Sequence, residues 1–196
     1  MDNSPGEVRE LVGQVLGRMR EKLAAKFHEC WPYTEHSRAD EALYVHHFAT
    51  EMEAADWMVF FEVPLPRRRK LDLLAVKRQA TEGRAWCGIL VEAKVLPVKC
   101  TGSESDSDVA RLVRSAVQGQ ERIEAIGRVM LIAKWSKRPM SKSEVCKASL
   151  SKKARTQLEV VDVVEVNPKW SGEDTVADER IYLIAAMARS GGTQEA

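Results

Sequence analysis

The stretch that decides the fold is Ile89-Leu90-Val91-Glu92-Ala93-Lys94-Val95-Leu96. A short apolar run that is rich in branched residues predicts a buried β-strand. Side chains two residues apart on a strand point to the same face, so Glu92 and Lys94 should project together, on the same side as Leu90. A purely structural strand rarely buries such charges, and the pair therefore indicates a functional site.

A second apolar run, Leu71-Asp72-Leu73-Leu74-Ala75-Val76, precedes the first and carries a carboxylate near its start. A polar turn at about 79–84 separates the two runs, so they can pair as a hairpin. Asp72 would then come close to Glu92 and Lys94. Two carboxylates and an ammonium that converge in a cleft predict a metal site beside a positioned cation.

The spacing of Asp72 and of Glu92-Ala93-Lys94 resembles the signature of the PD-(D/E)xK nuclease superfamily, with Leu71 where the family has a proline. The resemblance covers about residues 38–135. It implies an α/β fold with a restriction endonuclease-like core in the order helix, three strands, helix, strand. The central sheet would be mixed and would carry helices on both faces. The implied activity is that of a Mg²⁺-dependent deoxyribonuclease, which hydrolyses phosphodiester bonds.

The resemblance also implies a role for each residue of the signature. Asp72 and Glu92 would hold Mg²⁺, for which Mn²⁺ can substitute, and the carbonyl of Ala93 would face the ion. Lys94 would orient the attacking water and neutralise developing charge. The adjacent carboxylates keep its ammonium charged, which makes it a poor base.

Two further site residues are expected on the flanking helices. A helix over about 38–54 places Glu41 at the head of its apolar stripe, where many superfamily members carry a metal-facing glutamate; the alternative is that Glu41 only complements the positive helix N-terminus. A later helix, extending to about residue 126, places Gln120 on its buried stripe. Some superfamily members have a glutamine near the site on this helix, and a satisfied core amide is the alternative.

The segment between the third strand and the later helix is small and acidic. Residues 101–108 predict a mobile loop that ends in a helix cap at Ser105 or Ser107. The helix that follows is expected to include Ile123. An apolar run over residues 129–133 predicts a fourth strand that is buried on both faces.

Two basic regions are candidate DNA contacts. The run Arg67-Arg68-Arg69-Lys70 is the densest in the chain and lies just before Asp72. It predicts either phosphate contact at the rim of the site or a solvated hairpin turn. Residues 134–153 are also rich in lysine and arginine and include Lys134, Lys137 and Arg138, so this region could form a second contact.

The length of 196 residues predicts a single domain, 1–196, with a nuclease-like core at about 38–135. Accessory elements flank this core on both sides. An amphipathic helix over about 5–30 either packs on the domain or forms a dimer seam. Residues 136–189 predict a helix at 141–150 and strands at 158–166 and 179–186. A homodimer would place two sites on opposite strands of a DNA duplex.

The composition is that of an ordinary soluble protein, with 44% hydrophobic and 30% charged residues. The net charge of +1 argues against attachment to nucleic acid by bulk charge, although it allows a local basic groove. The four cysteines lack zinc-type spacing and predict reduced thiols in a cytoplasmic protein. No apolar run is long enough to cross a membrane.

Two other functional classes compete with the nuclease. The same fold could serve as a catalytically silent nucleic-acid- or protein-binding module, but the intact set of Asp72, Glu92 and Lys94 argues against it. An unrelated α/β enzyme acting on small phosphorylated substrates would need a glycine-rich phosphate loop, which the sequence lacks.

Overall fold

The computed structural model describes residues 4–29, 41–65, 69–78, 86–114, 123–166 and 180–189. Helices within these ranges are α1 (Pro5–Glu29), α2 (Glu41–Glu53), α3 (Asp106–Arg114), α4 (Lys142–Ser149) and α5 (Lys152–Gln157), with a short 3-10 helix at Gly102–Ser105. The strands are β1 (Met58–Leu65), β2 (Arg69–Arg78), β3 (Trp86–Leu96), β4 (Ile123–Ser136), β5 (Leu158–Val166) and β6 (Arg180–Ala188).

All six strands form one mixed sheet in the order β1-β2-β3-β4-β6-β5. Strands β3 and β4 run parallel, and every other neighbouring pair is antiparallel. Parallel neighbours need a crossover connection, and α3 lies in the connection between β3 and β4. The predicted α/β class with a mixed sheet is confirmed.

Helices cover both faces of the sheet because the strand side chains alternate. Ile89 and Val91 of β3 face a hydrophobic cluster that includes α1 and α2. Leu90, between them in sequence, faces a second cluster that includes Val109 and Leu112 of α3. The sheet is thus a central layer between α1 and α2 on one side and the shorter helices on the other.

Helix α1 buries its apolar stripe within the same chain. Val12, Val15, Leu16 and Met19 are inaccessible to solvent, and the helix packs on α2, β5 and β6. Of the two predicted roles for α1, packing on the domain is the one observed in this chain.

The segment predicted as a mobile loop forms a 3-10 helix, so that part of the expectation is wrong, whereas the predicted helix start directly after Ser105 is confirmed because α3 begins at Asp106. Gly102 and Ser105 are buried, and the Ser105 hydroxyl donates to the Gly102 carbonyl at 2.7 Å. A Cβ on Gly102 would lie 2.6 Å from backbone atoms of Leu150. Close backbone packing of this kind orders a stretch whose polar composition is typical of a loop.

The prediction that one helix continues to about residue 126 is also wrong. Ile123 begins β4, where it pairs with Trp86 of β3, so β4 starts six residues before the predicted strand at 129–133. Ile123 and Ile126 are three residues apart and fit a helical stripe as well as a strand. The parallel ladder with β3 decides between the two, because it satisfies the backbone groups of this segment.

The C-terminal elements follow the sequence patterns closely. Helix α4 begins with a capping box in which Ser141 and Glu144 satisfy each other's backbone N–H groups. Strands β5 and β6 lie at the positions predicted for them and extend the central sheet. Helix α5, which the sequence did not predict, is capped by Ser151.

Cys87, Cys100 and Cys146 are free thiols. Cys30 lies outside the described residues. Within the described part of the chain, no helix has both the length and the apolar character that crossing a bilayer requires.

Candidate functional site

The candidate site lies where β2 and β3 stop pairing. Their ladder ends at Leu73↔Val91, although both strands continue, and the next residues in register are Asp72 and Glu92. The Asp72 Oδ2 instead accepts a hydrogen bond from the Ala93 N–H at 2.7 Å. The N–H and C=O of one strand residue point to the same edge of the strand, so the Ala93 carbonyl is also directed toward β2.

Glu92 is completely buried at this opening. Both of its carboxylate oxygens are bound by the guanidinium of Arg111 on α3. Nε donates to Oε1 at 2.7 Å and Nη2 donates to Oε2 at 2.6 Å. The same Nη2 donates to Asp108 Oδ1 at 3.0 Å, one turn earlier on α3. A buried carboxylate needs such a partner because an isolated buried charge is costly.

Burial raises the pKa of Glu92 to about 7, although the hydrogen bonds from Arg111 lower it. The charge of Asp72 adds to the upward shift, as does a hydrogen bond between the two carboxyl groups. Asp72 and Glu92 are therefore close neighbours, and the negative charge of one disfavours ionisation of the other unless a cation is present. Perturbed carboxyl pairs of this kind are typical of functional sites, although structural ion-pair networks produce them as well.

Lys94 projects toward α3, on the same side of β3 as Glu92. Its Nζ lies 3.5 Å from Glu41 Oε1 and 3.5 Å from Asp108 Oδ2. Burial alone would lower the pKa of Lys94, but the two carboxylates outweigh it and the net shift is upward. The ammonium is therefore charged at neutral pH and is a cation rather than a base.

Glu41 is the first residue of α2 and lies beside the end of β3. In addition to its contact with Lys94, its Oε1 accepts a hydrogen bond from the Val95 N–H at 3.3 Å. The side chain remains partly exposed. The structure thus brings Glu41, Asp72, Glu92 and Lys94 to one place.

The carboxylates at this site fit a Mg²⁺ ion that takes only a few of its ligands from the protein. Among the residues that the structure describes, no group of three or more His, Cys, Asp or Glu side chains could hold a metal ion. Mg²⁺, however, is usually bound through one or two carboxylates together with water and substrate phosphates. Asp72, Glu92 and the Ala93 carbonyl provide oxygen donors of that kind, and the mutual charge of the carboxylates favours a cation.

Several predicted site residues are not brought to this place by the described structure. Gln120, Arg67 and Arg68 lie outside the described residues, and nothing is described of the Arg69 side chain. Lys70 is exposed and forms an ion pair with Glu62 at 2.5 Å.

Lys134 does not belong to the basic surface, contrary to the interpretation from sequence. It is buried, and its ammonium donates to the carbonyls of Pro97, Val98 and Cys100 at 2.8, 3.3 and 2.7 Å. Burial lowers its pKa. The three carbonyls satisfy the ammonium's three donors, so Lys134 fastens the turn that follows β3.

A basic cavity of about 480 Å³ opens beside this turn, at the C-terminal end of the parallel strands β3 and β4. Among the residues that the structure describes, its lining has no carboxylate and has four exposed basic side chains: Lys99, Lys137, Arg138 and Lys147. Arg138 also forms an ion pair with Glu144 at 3.1 Å. Ligands of open α/β sheets bind outside this end of parallel strands. We name this surface the basic cavity.

Asp108 and Arg111 were missed as site residues from the sequence. Both lie on α3, which packs on the face of the sheet toward which Glu92 and Lys94 point. Their spacing of three residues brings them together on one side of the helix. That spacing is the available signal, but the acidic composition of residues 101–108 predicts a loop that includes Asp108.

Comparisons of the chain with protein-family models, with curated proteins and with solved structures found no match.

Proposed function

We propose that the protein is a divalent-metal-dependent deoxyribonuclease with a restriction endonuclease-like core. One observation carries the proposal: Asp72 and Glu92 are adjacent carboxylates on neighbouring strands, and Lys94 follows Glu92 on the same face. They meet at an opening in the sheet, where packing alone does not require three charged groups. The order α2, β1, β2, β3, α3, β4 is consistent with such a core.

Each of these residues has a distinct role in the proposed reaction. Asp72 and Glu92 would hold Mg²⁺, with Mn²⁺ as a substitute, and the Ala93 carbonyl would add a third oxygen. When bound, Mg²⁺ supplies Lewis-acid neutralisation of charge on the phosphate oxygens. Lys94 would orient the attacking water and stabilise the negative charge that develops at phosphorus. Glu41 would hold Lys94 in position, or reach the ion through water.

The basic cavity is the proposed contact for the DNA backbone. Lys137 and Arg138 were candidates from the sequence, and Lys99 and Lys147 lie with them around the same cavity. Each phosphate contact releases condensed counterions, so it contributes about 0.9 to the slope of log affinity against log salt. Replacing Lys99, Lys137 and Lys147 with methionine should weaken DNA binding and flatten this slope. The control changes Arg20 and Lys26, exposed basic residues of α1 on the other side of the sheet, and should leave the slope unaltered.

Dimer formation would occur at β1, which is an edge strand of the sheet in the described part of the chain. Met58, Phe60 and Phe61 are about half exposed on this terminal strand of the sheet. An exposed apolar edge strand is a template for pairing with another chain. A second copy of the protein is the proposed partner. Light scattering should give twice the chain mass for the native protein and a single chain mass for Phe60→Lys.

A catalytically silent binding module is the second candidate, and one observation favours it. The Arg111 guanidinium already occupies both oxygens of Glu92, so the buried carboxylate is neutralised without any metal. In that case the site would be a structural ion-pair network.

A nuclease assay separates the two candidates. The native chain and Asp72→Asn are incubated with supercoiled, linear, single-stranded and branched DNA in Mg²⁺, Mn²⁺ or EDTA. A nuclease cuts in the presence of metal and loses this activity in Asp72→Asn. The matched control is Glu53→Gln, an exposed acid of α2, which should cut normally. Absence of cutting on every substrate by the folded native chain would support the silent module.

A further inference from the structure

We propose that Arg111 is a displaceable counter-ion. It neutralises Glu92 until a divalent cation and a DNA phosphate bind together. In this scheme Glu92 would bind the metal. Arg111 would remain paired with Asp108 and would bind the phosphate. The inference rests on the proposed nuclease function and defines how that site would be regulated.

Competition for Glu92 follows from the hydrogen-bond geometry. Arg111 donates to Oε1 and Oε2 at 2.7 and 2.6 Å, in a two-point arrangement that matches the planar fork of the guanidinium to the carboxylate. A carboxylate has about four lone-pair sites and the guanidinium uses two of them, so a metal could bind Glu92 only with its charge close to that of Arg111. Glu92 is completely buried, so salt and water screen this repulsion poorly. The metal and Arg111 therefore compete for Glu92.

Arg111 has room to leave, unlike Glu92. Its side chain is 30% exposed, whereas that of Glu92 is 0% exposed. Another of its contacts, the 3.0 Å ion pair with Asp108, lies within α3 and does not depend on Glu92. After displacement from Glu92, Asp108 would still hold the guanidinium at the mouth of the site.

The position in which Arg111 would be retained is next to Lys94. Asp108 contacts both cations, with Oδ1 on Arg111 and Oδ2 at 3.5 Å from the Lys94 ammonium. Lys94 also has Glu41 at 3.5 Å, whereas Arg111 loses one of its carboxylate partners once Glu92 has passed to the metal, so the guanidinium of this pair of cations is less fully neutralised than before. A phosphate is the ligand that such a pair favours, and a guanidinium can bind it through two hydrogen bonds.

This exchange predicts that metal and DNA bind cooperatively. Without DNA, a metal ion must break the Arg111–Glu92 contact while no phosphate replaces it, so the metal binds weakly. With DNA, the phosphate accepts the released guanidinium, so each ligand strengthens the binding of the other by the same factor. The native chain would thus acquire its metal mainly on its substrate.

The experiment measures Ca²⁺ binding calorimetrically at pH 8.5, with and without a phosphorothioate DNA duplex, for the native chain, Arg111→Met and Arg111→Lys. Without DNA, Arg111→Met should bind Ca²⁺ about tenfold tighter than the native chain. Arg111→Lys keeps the charge but loses the two-point fit, so it should fall between them and also serves if Arg111→Met does not fold. Arg114→Met, an exposed change three residues later on α3, should match the native chain. Adding DNA should tighten Ca²⁺ binding to the native chain more than to either Arg111 variant.

The outcomes separate this inference from the nuclease proposal. If the folded Arg111 variants bind Ca²⁺ as weakly as the native chain while the native chain still cuts DNA, Arg111 is only a structural partner and the inference is overturned. If neither the native chain nor the variants bind a divalent cation, with or without DNA, the metal site itself is wrong and both proposals fall.

Discussion

The Asp72 carboxylate substitutes for the main chain of β2 as the hydrogen-bond partner of Ala93. Its Oδ2 accepts the Ala93 N–H at 2.7 Å, at the position where the β2–β3 ladder has just ended. Asp72, a candidate catalytic residue, thus also accepts a backbone hydrogen bond that the ladder does not satisfy at this position. Stability and chemistry at Asp72 are therefore linked, and suitable substitutions can separate them.

Asp72→Ala should destabilise the protein, whereas Asp72→Asn should not do so to the same degree. The alanine leaves the Ala93 N–H without its acceptor, which costs about 1–3 kcal/mol. The asparagine side-chain oxygen can still accept this bond. Urea unfolding of both variants measures the difference. Equal losses of stability would show that the hydrogen bond is not what Asp72 contributes to folding.

Lys94→Met should reduce the rate of DNA cleavage by about 10²–10³ and leave metal and DNA binding intact. The reason is that a positioned cation stabilises charge mainly in the transition state. The pKa of Lys94 is raised, so the ammonium is charged on both sides of neutral pH and its own titration should not shape the rate there. Single-turnover rates across pH 6.5–8.5 test both statements, with Lys26→Met, an exposed change on α1, as the control. A variant that cuts at the native rate would exclude Lys94 from the reaction.

The protonation of His47 should lower the free energy of unfolding of the protein as the pH falls from 6.5 to 4. It is buried on α2, and burial, together with the charges of Lys26, His46 and Lys22, lowers its pKa from 6.5 to about 4, against the opposing charge of Glu51. The unfolded chain therefore binds a proton in this window before the folded chain does. The lost free energy of unfolding is up to roughly 3 kcal/mol, and it is fully regained above pH 6.5.

The pH dependence of unfolding in His47→Gln isolates this contribution from that of the carboxyl groups. The variant should lose less stability between pH 6.5 and 4 than the native chain does. His46→Gln removes one of the charges that lower the pKa of His47, so it should reduce the loss of stability only slightly compared with His47→Gln. Identical profiles for all three proteins would mean that His47 is not buried in its neutral form.

Gly102→Ala and Gly17→Ala should change stability in opposite directions. A Cβ on Gly102 would lie 2.6–2.7 Å from backbone atoms of Leu150 and Ser151, so the 3-10 helix must move, at a cost of about 1–3 kcal/mol. At Gly17, inside α1, no described atom lies within 4 Å of a Cβ, and alanine gains about 0.5–1 kcal/mol. Thermal unfolding of the two variants measures the direction of each stability change. A neutral Gly102→Ala would contradict the close packing at this turn.

Local patterns predicted most elements of this fold. The helix predicted at 141–150, the strand predicted at 158–166 and the apolar stripe of α1 depend on residues close in sequence, and the structure has the predicted element at each. The predictions were wrong where contacts between segments distant in sequence determine the local structure. Ile123 became a strand residue through pairing with β3, and the segment at Gly102 became ordered through contact with the residues after α4.

The sequence by itself determined which charges interrupt the central strands, because a period of two places Glu92 and Lys94 on one face whatever surrounds them. It also determined that Asp72 would lie on the strand beside them. Only the tertiary structure decided what these charges meet. Arg111 and Asp108 reach the site because α3 packs on that face, and Lys134 turns inward because three carbonyls converge there. Partners of a buried charge come from distant segments, so spacing along the chain cannot identify them.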